Sequence, residues 1–198
     1  VCKIPKNTQE EGTLLALAAT ANHIFSKCEI PKKTLVVGHG TLGRLIAKIV
    51  QLKGGEPIVA ESDLNRRRGN FTYEVLKPDE INPTSFKSVV DASGDSNQLN
   101  NLINYLHPGG EIVLAGFYDK KLSFDFPQAF IREAKIRIAA QWQPTDLHEV
   151  ADLLQTQKLK FENFVTHTSS VHNASEAYKV AFNDSSCLKM VLDWRGFQ

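Results

Sequence analysis

Short apolar runs alternate with amphipathic stretches along most of the chain, a pattern typical of strands separated by helices. The first strand is predicted at residues 34–37, and residues 41–53 follow as a helix. Further strands are predicted at residues 57–60, 71–76, 87–92, 111–116 and 135–140, and further helices at residues 12–25, 97–106 and 147–157. Because helical crossovers make a sheet parallel and cover both of its faces, the pattern predicts an α/β fold, a doubly wound parallel sheet of about six strands.

The last part of the chain continues with a strand, a helix and a strand, predicted at residues 161–168, 175–182 and 188–194. In the helix at residues 41–53 the apolar side chains form one stripe, which is expected to face the core. The stripe consists of Leu42, Leu45, Ile46, Ile49 and Leu52.

A glycine-rich segment with the pattern G-x-G-x-x-G occupies residues 38–43, directly after a predicted strand and at the start of a predicted helix. In this position the first glycine permits a tight turn, the second lets the backbone approach a pyrophosphate, and the third allows close helix–strand packing. The main-chain amides that open the helix would point at the phosphates. The residues predicted to bind the pyrophosphate are Gly38, Gly40, Thr41, Leu42 and Gly43. The segment therefore predicts a Rossmann dinucleotide-binding domain, in which Arg44 either adds a charge contact or faces solvent.

An acidic residue follows the second predicted strand, as this class of site requires. Glu61 lies 18 residues beyond Gly43, and its carboxylate would accept hydrogen bonds from the adenosine ribose hydroxyls. A carboxylate there would repel a 2′-phosphate, which favours NAD over NADP. Asp63 competes with Glu61 for this role, and the cations Arg66 and Arg67 leave NADP open as the alternative.

Two more glycine-containing segments end predicted strands, at residues 91–94 and 115–117. In doubly wound sheets ligands lie across the carboxyl ends of the strands. The residues predicted to line the nicotinamide half of the site are Ser93, Gly94, Ala115, Gly116 and Phe117. Alternatively, the two glycines serve only as turn residues.

Composition and charge argue against several classes of protein. A formal net charge of +1 without a long basic run gives no support to nucleic-acid binding. Apolar runs are far shorter than a membrane span, and neither a signal peptide nor an initiator Met is present, so we expect a cytoplasmic protein given as a fragment or processed product. Cys2, Cys28 and Cys187 form no C-x-x-C pair, which argues against a zinc ribbon, and the pair His167 and His172 is not expected to bind metal.

Motifs of other enzyme classes are missing or misplaced. There is no P-loop and no G-x-S-x-G segment, and the one Tyr-x-x-x-Lys match, Tyr73 with Lys77, falls on a predicted edge strand. A methyltransferase stays open as an alternative because of the L-x-P-G-G pattern at residues 106–110, although Leu42 stands where such an enzyme would carry a third glycine. A nucleotide-sensing module and a purely structural domain are further alternatives.

These motifs together resemble the medium-chain dehydrogenase/reductase superfamily, and the resemblance covers essentially the whole chain. The segments that carry it are residues 14–21, 37–43, 91–94, 106–113, 174–178 and 191–192. Within the superfamily, residues 14–23, 38–45 and 190–195 resemble the dehydrogenases of bacteriochlorophyll biosynthesis. This resemblance implies oxidation of the 3-(1-hydroxyethyl) group of bacteriochlorophyllide a, a tetrapyrrole, to 3-acetyl with NAD as hydride acceptor. Another alcohol or polyol dehydrogenase is the alternative.

The resemblance also implies a division of the chain. Residues 1–158 would form the dinucleotide-binding domain with its lead-in helix, and residues 159–198 would close a GroES-like substrate domain that is otherwise absent from the sequence. The catalytic acid–base residues are therefore not assignable, no metal is expected, and the chain alone is expected to be inactive. The predicted sixth strand is the candidate edge for a homodimer.

Overall fold

The computed structural model describes residue 4 and residues 6–26 and 31–196, without the side chains of residues 6 and 7. Within them a six-stranded parallel sheet has the order β3-β2-β1-β4-β5-β6. Its strands are β1 (Lys33–Val37), β2 (Glu56–Ala60), β3 (Glu74–Leu76), β4 (Phe86–Asp91), β5 (Leu106–Leu114) and β6 (Lys135–Ile138). The doubly wound α/β fold predicted from the sequence is confirmed.

The helices follow the strands in alternation, and a second, two-stranded parallel sheet lies near the end of the chain. The helices are α1 (Leu15–His23), α2 (Thr41–Leu52), α3 (Leu64–Arg67), α4 (Leu99–Tyr105), α5 (Phe126–Ile131), α6 (Pro144–Gln155) and α7 (Ala174–Asn183). The 3₁₀ segments are Lys6–Leu14, Pro78–Glu80 and Val171–Asn173. The second sheet pairs β7 (His167–Ser170) with β8 (Met190–Asp193).

Both faces of the main sheet are buried, which explains why its central strands have continuous apolar runs. Val36 and Val90 are paired in register and belong to a core shared with α1, α2 and α6. Their neighbours Leu35 and Val89 belong to a second core on the opposite face, with side chains of α4. Successive residues of a strand point to opposite faces, so the apolar run fills both cores.

One predicted strand, at residues 161–168, is wrong in position. Phe161 and Phe164 flank a turn and are buried in the core that contains α6, with ring centroids 6.1 Å apart. Asn163 between them has a φ of 66°, a left-handed conformation that breaks an extended strand. The aromatic residues therefore anchor a turn, and β7 begins only at residue 167.

Other predicted elements differ at their ends. The first helix begins as a 3₁₀ segment and becomes α-helical at Leu15, and the third strand pairs with β2 only from Glu74 onward. Leu45, Ile46 and Ile49 of the predicted stripe are buried, but Leu52 at the end of α2 is 39% exposed. End residues of helices and strands lose neighbours on one side, so periodicity predicts their burial poorly.

The topology places a crevice at one point of the sheet. The chain passes from β1 outward to β2 and β3 and then returns to the other side of β1 to form β4. Ligands of doubly wound sheets bind at this reversal, outside the carboxyl ends of the strands. Among the described helices, none has the length and apolarity needed to cross a membrane.

Candidate functional site

The glycine loop between β1 and α2 owes its shape to two close backbone approaches. Gly38 has a φ of +94°, and a Cβ there would lie 2.9 Å from the backbone of Ser93. A Cβ on Gly43 would lie 1.9 Å from the carbonyl oxygen of Gly38. Both positions therefore require glycine, and α2 packs directly on the turn that precedes it.

The second glycine of the loop has no such structural need. Gly40 has an ordinary φ of −72°, and the atom nearest to a Cβ there would be Nη1 of Arg66, at 3.9 Å. It immediately precedes α2, whose first-turn amides belong to Thr41 and Leu42. Open space beside the start of a helix is what an anion needs in order to approach those amides.

Glu61 lies just beyond β2 and is 6% exposed. Its Oε2 accepts the main-chain N–H of His39 at 2.7 Å, and its Oε1 accepts that of Asp63 at 2.7 Å. Asp63 instead caps α3, accepting the amides of Asn65 and Arg66. The structure thus separates the two acidic candidates: Glu61 lines the crevice, whereas Asp63 stabilises a helix end.

A cavity of about 210 Å³ lies along the carboxyl ends of β1, β2 and β4. Its lining includes Gly38, Gly40, Glu61, Arg66 and Ser93. The structure therefore brings together predicted residues from three separate strand ends, with a carboxylate and a guanidinium at the β2 side. Arg67, the other cation considered from the sequence, donates to the carbonyl groups of residues 61 and 62.

His39, a variable position of the glycine pattern, is a feature that sequence reasoning missed. Its side chain is fully buried and lies against α3 and the segment that follows it. Nδ1 lies 2.7 Å from the carbonyl oxygen of Arg66, and Nε2 lies 3.0 Å from the hydroxyl of Tyr73. Burial lowers the pKa of His39 from 6.5 to about 4, so the ring is neutral at neutral pH. No sequence pattern predicts these contacts, because the partners of His39 lie 27 and 34 residues away along the chain.

Arg44 reinforces the same region and does not face solvent freely. Its Nε donates to the carbonyl of His39 at 3.2 Å, and its Nη2 donates to that of Arg66 at 3.3 Å. The guanidinium lies 5.0 Å from the ring centre of Phe71. Arg44 therefore connects the glycine loop to α3 and to the segment that follows it.

The predicted nicotinamide half is organised by Asp91, the last residue of β4, which is 1% exposed. Its Oδ1 accepts the N–H of Ser93 at 3.0 Å, and its Oδ2 accepts the hydroxyl of Tyr118 at 2.7 Å. Burial, together with this carboxylate, raises the pKa of Tyr118. Asp91 therefore connects the turn after β4 to the turn after β5.

These two turns contact each other through their glycines. The amides of Ala115 and Gly116 donate to the carbonyl of Asp91, and a Cβ on Gly116 would lie 3.0 Å from the nitrogen of Gly94. Phe117, the next residue, is 93% exposed. The predicted nicotinamide residues are adjacent in space, but their surface is open.

The last part of the chain returns to the glycine loop, a contact that the sequence did not predict. The hydroxyl of Thr41 donates to the carbonyl of Leu188, and Nε of Arg66 donates to the carbonyl of Ser185 at 3.3 Å. The turn before β8 is therefore bound to both the start of α2 and the segment after β2.

The described residues hold no cluster of three or more His, Cys, Asp or Glu side chains arranged for a metal ion. Cys187 is a buried free thiol, and burial raises its pKa. Cys2 and Cys28 lie outside the described residues.

Comparison with known proteins gives relatives over nearly the whole chain. It is 46% identical over 194 residues to a 2-desacetyl-2-hydroxyethyl bacteriochlorophyllide A dehydrogenase of Cereibacter sphaeroides, a match that covers 98% of this chain and 61% of the relative. It is 43% identical over 196 residues to the protein of that name from Rhodobacter capsulatus, with 98% and 62% covered. The chain thus spans about three fifths of the length of these relatives.

More distant similarity extends to other dehydrogenases. Curated relatives at 22–27% identity include D-arabinitol dehydrogenase 1 of Uromyces fabae and an L-arabinitol 4-dehydrogenase of Aureobasidium melanogenum. Acetophenone reductase from Geotrichum candidum, solved with NAD, has the same fold, with a TM-score of 0.82 at 20% identity over 98% of this chain and 59% of that one. No protein-family model matches the chain. Along nearly its whole length the chain is therefore similar to curated dehydrogenases, and the more distant of these relatives are medium-chain dehydrogenases.

Proposed function

We propose that this chain binds NAD and forms part of a dehydrogenase that oxidises the 3-(1-hydroxyethyl) group of bacteriochlorophyllide a to a 3-acetyl group. The observation that carries the NAD site is the open space beside Gly40, in front of the first amides of α2 and next to the Glu61 carboxylate. The substrate rests on the 43–46% identical relatives. We place the enzyme in the cytoplasm as a bacteriochlorophyll biosynthetic oxidoreductase.

The glycine loop fits the pyrophosphate of a dinucleotide. Backbone at Gly40 would lie against the phosphates, and the amides of Thr41 and Leu42 would donate to them. Gly38 and Gly43 keep the turn and the helix in the close packing that presents these amides. The loop would therefore bind charge with backbone groups that are already in place.

The Glu61 carboxylate fits the adenosine ribose. Each oxygen accepts one main-chain N–H, and Oε1 also accepts the Ser62 hydroxyl at 3.4 Å, so Oε2 retains lone-pair capacity for a ribose hydroxyl. The same negative charge disfavours a 2′-phosphate, which supports NAD as the preferred cofactor. On the other side of the sheet reversal, the nicotinamide ring would lie along Ser93, Gly94, Ala115, Gly116 and Phe117.

When bound, NAD would accept the hydride that leaves the carbinol carbon as the hydroxyl proton passes to a base. In this proposal the chain's own residues bind and orient the dinucleotide, while the base and most substrate contacts come from the substrate domain. Residues 159–198 would be the closing part of that domain. Tyr178 and Phe182 of α7 are 57% and 81% exposed, beside a cavity of about 390 Å³ that β8 also lines, and this apolar surface supports the division.

A homodimer through the edge strand β6 is part of the proposal. Ile138 on β6 is 75% exposed, and Phe130 and Ile131 of α5 are 69% and 71% exposed. A cavity of about 670 Å³ lies between these elements. An unpaired apolar edge would be covered if a second copy of the chain paired there. Sedimentation of the complete gene product with Ile138→Lys, expected as a monomer, tests this part.

Titration calorimetry of the chain with NAD, NADP and S-adenosylmethionine tests the cofactor. We expect NAD to bind more tightly than NADP, and S-adenosylmethionine not to bind. Gly40→Ala should weaken NAD binding at least about 100-fold, because its methyl group would occupy the path of the phosphates. Gly54→Ala, at a glycine with open space around it and far from the loop in sequence, is the control.

Each alternative function predicts a different outcome. Tight S-adenosylmethionine binding would indicate a methyltransferase, and unchanged NAD affinity in Gly40→Ala would refute the assigned role of the loop. The substrate is tested by adding hydroxyethyl bacteriochlorophyllide and NAD to the complete gene product. Turnover of polyols alone would indicate a polyol dehydrogenase similar to the arabinitol dehydrogenases. NAD binding without turnover of any alcohol would indicate a sensing module.

A further inference from the structure

We propose that His39 is a positioning residue of the dinucleotide site, and that it acts by holding Arg66 where the Arg66 guanidinium meets the phosphate next to Gly40. The inference rests on the proposed NAD site and adds a cation to it. It stands on the contacts that join the glycine loop to α3 and to the segment that follows it, which the glycine pattern does not specify.

The hydrogen-bond partners of His39 allow one arrangement of its ring. The carbonyl oxygen of Arg66 only accepts, so Nδ1 carries the proton and donates to it at 2.7 Å. Nε2 is then the acceptor for the hydroxyl of Tyr73 at 3.0 Å. Both ring nitrogens are used, and the rings of Phe71 and Tyr73 lie nearly perpendicular to the imidazole, with centroids 4.6 and 5.7 Å away.

This contact fixes the backbone of Arg66 from the side of the glycine loop. The Arg66 carbonyl accepts a second donor, Nη2 of Arg44, at 3.3 Å. The main-chain N–H of His39 meanwhile donates to Glu61. One residue of the loop therefore holds the acid of the site with its backbone and the cation with its side chain.

The Arg66 guanidinium faces the loop from that anchored position. Its Nε donates to the carbonyl of Ser185, and its Nη1 lies 3.9 Å from the site of a Cβ on Gly40. The space on this side of Gly40 belongs to the cavity that Arg66 lines. A phosphate brought against the Gly40 backbone would lie within reach of this donor, and charge-assisted hydrogen bonds of this kind are strong.

A pair of polar substitutions separates the two contacts of the ring. In His39→Asn the short amide lies near the position of Nδ1 and keeps a donor for Arg66, whereas in His39→Gln the longer amide lies near Nε2 and keeps the contact with Tyr73. We expect near-normal NAD affinity for His39→Asn and a loss of about 10-fold for His39→Gln. ADP-ribose, which lacks nicotinamide, should show the same loss.

Two further variants show whether the effect passes through Arg66. Arg66→Gln should weaken NAD binding about 10-fold or more, and adding His39→Gln to it should cause no further loss. Tyr73→Phe should lower the unfolding temperature while NAD affinity stays within about twofold, because the Arg66 bond survives. All affinities are measured by calorimetry below the unfolding temperature of each variant.

The outcomes are distinguishable. Wild-type chain that binds no NAD would refute the proposed function and this inference with it. Wild-type binding with equal affinities in His39→Asn and His39→Gln would refute the inference alone. Additive losses in the double variant, or a loss in Tyr73→Phe as large as in His39→Gln, would show that His39 only packs the loop.

Discussion

The two halves of the crevice are built differently. On the proposed adenosine side Glu61, His39 and Arg66 are bonded to one another through main-chain groups, and His39 is fully buried. On the proposed nicotinamide side Asp91 holds two turns together, but Phe117 projects from them with 93% of its surface exposed. On its own, the chain thus forms the half of the crevice that would recognise the invariant part of a dinucleotide. The half where chemistry would occur is open, as expected if a substrate domain completes it.

The largest effect that we expect concerns the backbone contact at the base of the adenosine half. Gly43→Ala would place a Cβ 1.9 Å from the carbonyl oxygen of Gly38, and neither backbone segment can move without disturbing β1 or α2. We expect the free energy of unfolding to fall by about 4 kcal/mol or more. Urea denaturation followed by circular dichroism measures it. Gly54→Ala, with a φ of +83° and no atom within 4 Å, should cost only about 1–2 kcal/mol.

The second prediction concerns pH and His39. Its pKa is lowered from 6.5 to about 4, first by burial and also by Arg44 and Arg66, whereas Glu61 and the Arg66 carbonyl act in the opposite direction. As the pH falls below 6.5 the unfolded chain takes up this proton before the folded chain does, so stability is lost down to about pH 4. The full contribution is about 3 kcal/mol.

Urea midpoints measured from pH 7.5 to 4 test this dependence. The slope for His39→Asn, which has no imidazole, should be shallower than that of the wild-type chain over the interval from pH 6.5 to 4. Equal slopes in the two proteins would show that the ring is not held neutral, and the adenosine half would then be less rigidly built than the contacts indicate.

The contrast between the halves also marks what the sequence could predict. The G-x-G-x-x-G pattern and the apolar run before it predict the turn, the helix start and the crevice, because these depend on local backbone geometry. The parallel, doubly wound sheet follows from the alternation of strands and helices, whereas the order of its strands was seen only in the structure. Glu61 could be identified as a candidate by its spacing from Gly43, although the choice against Asp63 needed the structure, in which Asp63 caps α3.

Contacts between distant segments could not be predicted in this way. The bond from His39 to Arg66 and the bond from Thr41 to Leu188 join residues that no period or motif relates. The prediction of a strand at residues 161–168 failed for a similar reason. Phe161 and Phe164 are apolar, as residues of a buried strand would be, but they anchor a turn in the core. Apolarity predicts burial there, and tertiary packing decides the backbone conformation.

We expect a moderate effect for Tyr118→Phe. This variant tests whether Asp91 holds the proposed nicotinamide half rigidly. The variant removes the hydroxyl that donates to Oδ2 of the buried Asp91, so a carboxylate oxygen loses a donor in a nearly dry environment. We expect a loss of about 2 kcal/mol in the free energy of unfolding. Tyr105→Phe is the matched control, because its hydroxyl donates to the carbonyl of Pro78 at an exposed position and should cost less. Equal losses would mean that Asp91 is not a specific anchor.

The smallest change in stability is expected for Phe117→Ala, and this variant tests the division of the crevice into two halves most directly. Because the side chain is 93% exposed, its removal should alter the free energy of unfolding by less than about 0.5 kcal/mol. Phe86→Ala, at a residue of β4 that is 4% exposed, should by contrast cost about 3–5 kcal/mol. If Phe117 covers the nicotinamide ring, its loss should weaken NAD binding and leave ADP-ribose binding unchanged. Equal weakening of both ligands would place Phe117 on the adenosine side and overturn the division of the crevice into two halves.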